Sequence, residues 1–276
     1  MGADSMQVYR QMEIGTAKPT AEEQRAAVHH MIDVVDPDDA FDAAAFADAA
    51  DGVIDSLFAR GVVPVVAGGT GLYVKALLHG LSAAIPSDAS VTARLTKEAE
   101  EGGLVPLYKR LQEVDPAYAS RISSNDPIRI VRALEVFEAT GKPYSAHHEE
   151  HRFQESRYDA LKICLASERE VLYDRINRRV DIMIEEGLLD EVRGLLEKGY
   201  HRELKSMGSI GYRHMVEHLL DGQPWEETVR LLKRDTRRFA KRQLTWFRAD
   251  PEMVWLSPTD HEGLFQAVET FLNSNA

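Results

Sequence analysis

The amino-acid sequence predicts an α/β fold: a parallel-sheet core of the doubly wound type, a helical insertion, and a helical C-terminal region. Three stretches carry that expectation. In GVVPVVAGGTGLYVKALLHGL, Val62 to Ala67 is a continuous apolar run suited to a buried parallel strand. Gly68-Gly69-Thr70-Gly71 then makes a tight turn, and Leu72 to Leu78 repeats at helical spacing. From about Ser82 to Arg157 the pattern is helical with no strand, which reads as an insertion. After residue 167 the chain is helical again, broken by the short apolar segment MVWL at 253–256.

The elements follow in order. AFDAAAFADAADGVIDSLFARG reads as a helix that Gly61 ends. Inside the insertion, NDPIRIVRALEVFEATGKP is well punctuated: Asn125 or Asp126 can cap, Pro127 suits the first turn, and Gly141 with Pro143 closes it. Leu161 to Ala166 reads as a second strand entering a helix. Ser167 and Glu170 have the spacing of a capping box at its start. The expected core is residues 1–81 with 158–276, and the expected insertion is 82–157.

Composition narrows the function classes. Apolar residues are 44% and charged residues 28% of the 276, enough for a sizeable core and too ordered a balance for general disorder. Cys164 is the single cysteine, which excludes an internal disulfide and a cysteine-rich metal site and fits a reducing compartment. No basic-then-apolar leader opens the sequence, and its longest apolar stretch, VVPVVAGGTGLYV, is too short to span a bilayer. A cytoplasmic protein that does not enter a membrane is expected. The net charge is −12, yet it is unevenly spread. Residues 1–60 hold 12 acids and 4 bases, whereas residues 225–248 hold 8 bases and 3 acids. An acidic chain can therefore still present a basic face to phosphates.

Four constellations could carry chemistry. The GGTGLY turn leads from a strand into a helix N-terminus, where N–H groups suit an anion; a plain β–α turn fits the same residues. On the helix after Ser167, Leu172, Ile176, Val180 and Met183 form an apolar seam with Arg175 and Arg179 on its flank. That arginine pair can grip a diphosphate bidentately, or it can belong to a solvated face in which Asp174 pairs with Arg178. In WEETVRLLKRDTRRFAKRQLTWFR, Arg230, Arg234, Arg237, Lys241 and Arg248 recur on one side, with Val229, Leu232, Phe239 and Trp246 as a core stripe. Such a one-sign face suits nucleic acid or a membrane surface better than solvent alone. Finally, His147 and His151 in HHEEH are four apart, but the motif lacks the glutamate position of HExxH and a recognisable third ligand.

Taken in order, ADSMQVYRQMEIGTAKP, VVAGGTGLYVKALLHGL, NDPIRIVRALEV, RINRRVDIMIEEGLLDEV, IGYRHM and AKRQLTWFR resemble the tRNA dimethylallyltransferase (tRNA isopentenyltransferase) family nearly end to end. The resemblance implies a P-loop nucleotide-kinase-like core and an insertion that clasps a tRNA anticodon stem-loop. It implies transfer of a dimethylallyl group from dimethylallyl diphosphate to N6 of the adenosine 3′ to the anticodon, with magnesium, by a monomer. Asp4 matches the family's catalytic acid, Arg179 its diphosphate-stabilising arginine and Thr70 its threonine at the glycine turn. Arg175 and Gly69 join Arg179 in holding the diphosphate. The tRNA contacts match Asp4, Ser5, Met6 and Gln7; Thr70 and Thr92; and Ile128, Arg129, Ile130, Val131 and Arg132. They continue through Gly208, Ser209, Ile210, Gly211, Tyr212 and Arg213, then Lys241, Arg242, Gln243, Leu244, Thr245, Trp246, Phe247 and Arg248.

Three departures go with the resemblance, one of them Gly208, which stands in MGSIGYR where some relatives place a cation or an amide. The family carries a first strand, a P-loop and a helix upstream of the Asp4 segment, about thirty residues, and no Gly-x-x-x-x-Gly-Lys-Ser/Thr occurs in this sequence. Weak donor binding, little transfer and reduced stability are expected in consequence. Thr92 stands four residues after Asp88, where an arginine is expected, with Arg94 nearby. The alternatives are an adenylate isopentenyltransferase, a non-catalytic tRNA-binding remnant and, least favoured, a nucleotide kinase.

Overall fold

The computed structural model describes residues 1–80, 88–151 and 156–274, with backbone alone for 148–151. Two compact units form, residues 1–78 with 158–276, and residues 79–157. The predicted boundary at residue 82 lies outside the described residues, as do the side chains of His148 and His151.

The first unit begins with an irregular segment and then three helices. α1 (Ala21–Ala26) opens on Thr20, which forms a capping box with Glu23. α2 (Ala43–Phe58) is capped by Asp42, whose Oδ1 accepts from the Ala44 and Ala45 N–H groups at 2.9 Å each. Phe46, Ala47, Ala50, Ile54 and Leu57 give α2 one buried face at helical spacing. α3 (Gly71–His79) follows the glycine turn, and its Tyr73 ring stacks on Phe46 with centroids 4.3 Å apart.

The second unit is helical: α4 (Ala89–Gly102), α5 (Leu104–Val114), α6 (Pro116–Ala119), α7 (Pro127–Thr140) and α8 (Tyr144–His151). Asp126 caps α7 through the Arg129 N–H, Pro127 occupies the first turn, and Gly141 closes the helix at φ 69°. Leu95, Leu107, Leu111, Ile130 and Leu134 form its core. Two buried carboxylates tie the helices together. Asp115 accepts from the Tyr118 N–H at 2.9 Å and from both the N–H and the hydroxyl of Ser145, at 2.7 and 2.6 Å. Glu135 accepts from the Asp88 N–H and from Arg132, each at 2.8 Å.

The chain then returns to the first unit. β1 (Ile163–Leu165) leads into α9 (Arg169–Glu185), α10 (Leu188–Glu197), α11 (Tyr212–Asp221) and the long α12 (Trp225–Phe247). β2 (Val254–Leu256) pairs parallel with β1 in the register Cys164 to Trp255, and α13 (His261–Ser274) follows. α12 packs on α9 and α11, and Leu232 is its buried apolar contact. No helix among the described residues is long and apolar enough to cross a membrane.

Three expectations are corrected. Among the described residues, Val62 to Ala67 is extended but makes only the isolated parallel bridge from Ala67 to Gly2. Val62, Val63, Val65 and Val66 are 37–74% exposed rather than buried. Among the described residues the segment pairs along one side only, with Met1 to Ala3, and Pro64 removes one N–H from any further ladder. α9 starts at Arg169 with no side-chain cap, so Ser167 and Glu170 form no capping box. The core stripe expected along α12 is buried only at its first half: Phe239 is 41% and Trp246 is 44% exposed. α9 and α11 pack on this helix without covering those two rings.

Candidate active site

The site is built on the segment Gly2 to Lys18. Ala3 donates its N–H to Ala67 O at 2.8 Å, and Ser5 donates its N–H to Thr70 Oγ1 at 2.9 Å. Asp4 therefore sits between two residues that are both bonded to the strand-like segment and its glycine turn. Its Oδ1 accepts from the Met6 N–H at 2.7 Å and the Gln7 N–H at 3.2 Å, an Asx turn that fixes the carboxylate. Oδ2 makes no hydrogen bond among the described residues. One oxygen is held and the other is presented, as a base needs.

Thr70 is the hinge of this arrangement. Its N–H donates to Ala3 O at 3.1 Å, so that N–H is spent on the Asp4 segment rather than on an anion, contrary to expectation for the turn. Its hydroxyl accepts from Ser5 N–H and donates to Ser5 Oγ at 3.3 Å. The glycines around it are needed for close approach: a Cβ at Gly68 would lie 2.3 Å from Ala3 O. On the other side α12 meets the turn, where Gln243 Nε2 donates to Gly69 O at 2.9 Å.

Arg175, Arg178 and Arg179 lie together with Ile182 around an open recess on α9. None of the three makes an ion pair among the described residues, so the Asp174–Arg178 pairing of a solvated face does not form. Arg179 also reaches toward α1: it contributes, after the Thr20 hydrogen bonds and His29, to holding the Glu23 carboxyl below its usual range. Arg179 makes no hydrogen bond to Asp4 or Thr70.

The remaining predicted residues divide by exposure. Ile130 and Val131 are buried in the second unit's core, and Ile128 and Arg129 are exposed on α7. Arg129 pairs with Asp126 at 3.5 Å and Arg132 with Glu135 at 2.8 Å. The Thr92 hydroxyl is buried without a partner among the described residues. Gly211 and Tyr212 are buried, whereas Gly208 and Arg213 are exposed and Ser209 and Ile210 lie between. The side chains of Ile130, Val131 and Tyr212 are thus core groups and not surface contacts, a correction that burial imposes. Gln7 also turns inward, donating its Nε2 to Thr16 O and Ala17 O at 3.1 Å each.

The five-cation face of α12 is narrower than expected. Arg230 pairs with Glu227 at 2.6 Å, Arg234 with Asp235 at 2.8 Å, and Arg237 donates to Asn177 Oδ1 at 2.5 Å. Lys241, Arg242 and Arg248 keep clear of ion pairs among the described residues and are exposed. Arg242 lies over the Phe239 ring and Arg248 over the Trp255 ring, at 5.6 and 5.9 Å. The cationic surface is the C-terminal third of the helix.

Two residues that sequence reasoning passed over hold the loop. Glu191 on α10 accepts from the N–H groups of Glu13, Ile14 and Gly15 at 2.9, 2.8 and 3.2 Å, and from Tyr212 Oη at 2.6 Å. Lys18 is buried and donates to Tyr9 O, Glu13 Oε1 and Asp33 Oδ1 at 2.9, 2.9 and 2.5 Å. Neither has a periodic signature; GTAKP beside an acid-rich segment is the only hint of the second.

The IPP transferase family model matches residues 7–250. A tRNA dimethylallyltransferase from Desulfosudis oleivorans is 55% identical over 264 residues, covering 96% of this chain and 83% of that one. Its counterpart from Syntrophobacter fumaroxidans is 53% identical, covering 96% and 77%. Among solved structures, the full-length tRNA isopentenylpyrophosphate transferase from Bacillus halodurans superposes at TM-score 0.70 with 40% identity, over 99% of this chain and 86% of that chain. A eukaryotic dimethylallyltransferase acting on tRNA superposes at 0.79 with 26% identity, over 99% and 72%.

Proposed function

The chain belongs to the IPP transferase family, and from that membership we infer that it transfers a dimethylallyl group from dimethylallyl diphosphate to N6 of the adenosine 3′ to the anticodon of tRNA. The observation that carries the chemistry is the Asp4 carboxylate, with Oδ1 locked by the Met6 and Gln7 N–H groups and Oδ2 presented.

An exocyclic adenine amine is a weak nucleophile because its lone pair is delocalised into the ring. Asp4 accepts one amine N–H as a hydrogen bond, orients the other lobe toward the prenyl carbon, and takes the proton as the nitrogen–carbon bond forms and the carbon–oxygen bond to diphosphate breaks. Thr70 keeps the carboxylate in register through Ser5. The departing diphosphate gathers negative charge, which Arg179 and Arg175 offset, and Gly69 is assigned to hold it as well.

Among the described residues no group of three or more His, Cys, Asp or Glu side chains is placed to hold a metal. A magnesium ion would supply further positive charge for the departing diphosphate alongside Arg175 and Arg179. The adenine leaves the anticodon stack to reach Asp4, at a cost of a few kcal/mol. Lys241, Arg242 and Arg248, at the end of α12, offset that cost by binding the RNA backbone. A monomer in the cytoplasm, where its RNA substrate resides, completes the assignment.

The test is acceptor choice. The protein is incubated with labelled dimethylallyl diphosphate, magnesium, and either unmodified tRNA or AMP. Label on tRNA adenosine and none on AMP is the expected result. Label on AMP alone, or tight tRNA binding with no label fixed at saturating donor, contradicts the assignment.

A further inference from the structure

Asp4 is held from the far side of the glycine turn as well as from its own loop. Gln243 Nε2 donates to Gly69 O at 2.9 Å, and a Cβ at Gly69 would lie 2.1 Å from that nitrogen. A Cβ at Gly71 would lie 2.2 Å from Trp246 Nε1. Two of the turn's glycines are therefore seats for two side chains of α12, at contact distances no other residue type permits. The turn in turn bonds both neighbours of Asp4: Ala3 N–H to Ala67 O, Thr70 N–H to Ala3 O, and Ser5 N–H to Thr70 Oγ1.

Helix phase separates two jobs on one short stretch. Gln243 and Trp246 are three apart and share the face on the turn. Lys241, Thr245 and Arg248 fall about half a turn away, and all three are exposed. One N–H of the Gln243 amide is spent on the Gly69 carbonyl, so the side chain is anchored to the turn.

We propose that Gln243 and Trp246 are positioning residues, which seat the cationic helix α12 on the Gly68–Gly71 turn and through that turn hold Asp4 for the amine. The helix that grips the RNA and the carboxylate that takes the proton are then one mechanical body. This rests on the assignment of Asp4 as the base, and its structural half is testable without turnover.

Gln243→Glu keeps the side chain's size and replaces the N–H donor with an acceptor facing the Gly69 carbonyl. Three readouts are taken on the whole protein: affinity for a fluorescent unmodified anticodon stem-loop RNA, the split of kcat and KM in transfer, and amide hydrogen exchange of peptides covering residues 2–8 and 65–73. Exchange faster in both peptides, RNA Kd and KM within about twofold, and kcat down about tenfold or more are expected. Lys241→Ala is the comparator and raises the RNA Kd about threefold or more. Gln243→Leu removes the donor without adding charge and decides the case if the glutamate variant fails to fold. Unchanged exchange in both peptides with an RNA Kd raised about tenfold overturns the proposal and makes Gln243 an RNA contact. If the unmutated protein transfers no label, the assignment of Asp4 falls, while the exchange data still decide whether α12 holds the turn.

Discussion

Single residues carry more of this site than its motifs do. Glu191 is the strongest case, since one carboxylate satisfies three consecutive backbone N–H groups and a tyrosine hydroxyl. A charged acceptor of this kind is worth about 1.5–3 kcal/mol, because removing it strands donors that water cannot fully reach. In Glu191→Gln one oxygen becomes an NH2 that must face either the backbone donors or Tyr212 Oη. We expect a loss of about 2 kcal/mol in urea unfolding, with the m-value unchanged; a loss below about 0.5 kcal/mol would mean that the loop closes without it. Tyr212 itself is locked in place: its hydroxyl is bonded to Glu191, burial pushes its ionisation far up, and its ring fills the space where Gly15 has no side chain. Gly15→Ala drives a Cβ to 2.4 Å from that ring, so Tyr212 must move, at a cost of about 1–3 kcal/mol.

At the scale of elements, α12 separates what periodicity reveals from what it hides. Its helical character and basic bias were plain from steps of three and four. Which cations stay unpaired was not, because Glu227, Asp235 and Asn177 engage Arg230, Arg234 and Arg237. α7 was legible to its ends, since Asp126, Pro127 and Gly141 each impose a local backbone geometry. The run Val62 to Ala67 was misread for the opposite reason: apolarity predicts burial only where a second layer or neighbour exists to supply it, and here the described residues provide pairing on one side. Asp4 and Thr70 could be named from the sequence by resemblance, but their hydrogen-bonded join through Ser5 is tertiary and left no trace in spacing. The clasp by Glu191 was invisible for the same reason. A prediction belongs to this scale. Replacing Lys241, Arg242 and Arg248 together by glutamine should lower the slope of log K against log salt for anticodon stem-loop binding by about two to three. An unchanged slope would place the RNA elsewhere on the protein.

At the scale of the whole molecule, a net charge of −12 and a basic surface coexist because charge is segregated along the chain. The buried junction of α11 and α12 adds a pH dependence. His214 is 1% exposed, and burial, then Arg213, lowers its pKa, opposed by its 3.3 Å contact with Asp235 and by Glu217. A base whose folded pKa is lowered binds fewer protons folded than unfolded below its ordinary value of about 6.5, so its stabilising effect is present above that pH and lost as pH falls through it. Asp235, bonded first of all to Arg234, is held at about 2 and sustains stability above about pH 4, which fades toward pH 2. Urea midpoints should therefore decline from pH 7.5 to 5.5 in the unmutated protein and flatten over that window in His214→Gln. An equal decline in both would remove His214 from the account.

The central claim is that Asp4 takes the amine proton, and single-turnover transfer in Asp4→Asn tests it most directly. Asparagine preserves the turn's shape and can still accept from the Met6 N–H, but it cannot take a proton. The unmutated protein and the variant are loaded with saturating unmodified tRNA and labelled dimethylallyl diphosphate, with RNA binding measured alongside by anisotropy. We predict a rate of label fixation lower by about 10²- to 10⁴-fold with RNA affinity within about twofold. A variant that fixes label at close to the unmutated rate while binding RNA equally well would contradict the assignment of Asp4 as the base.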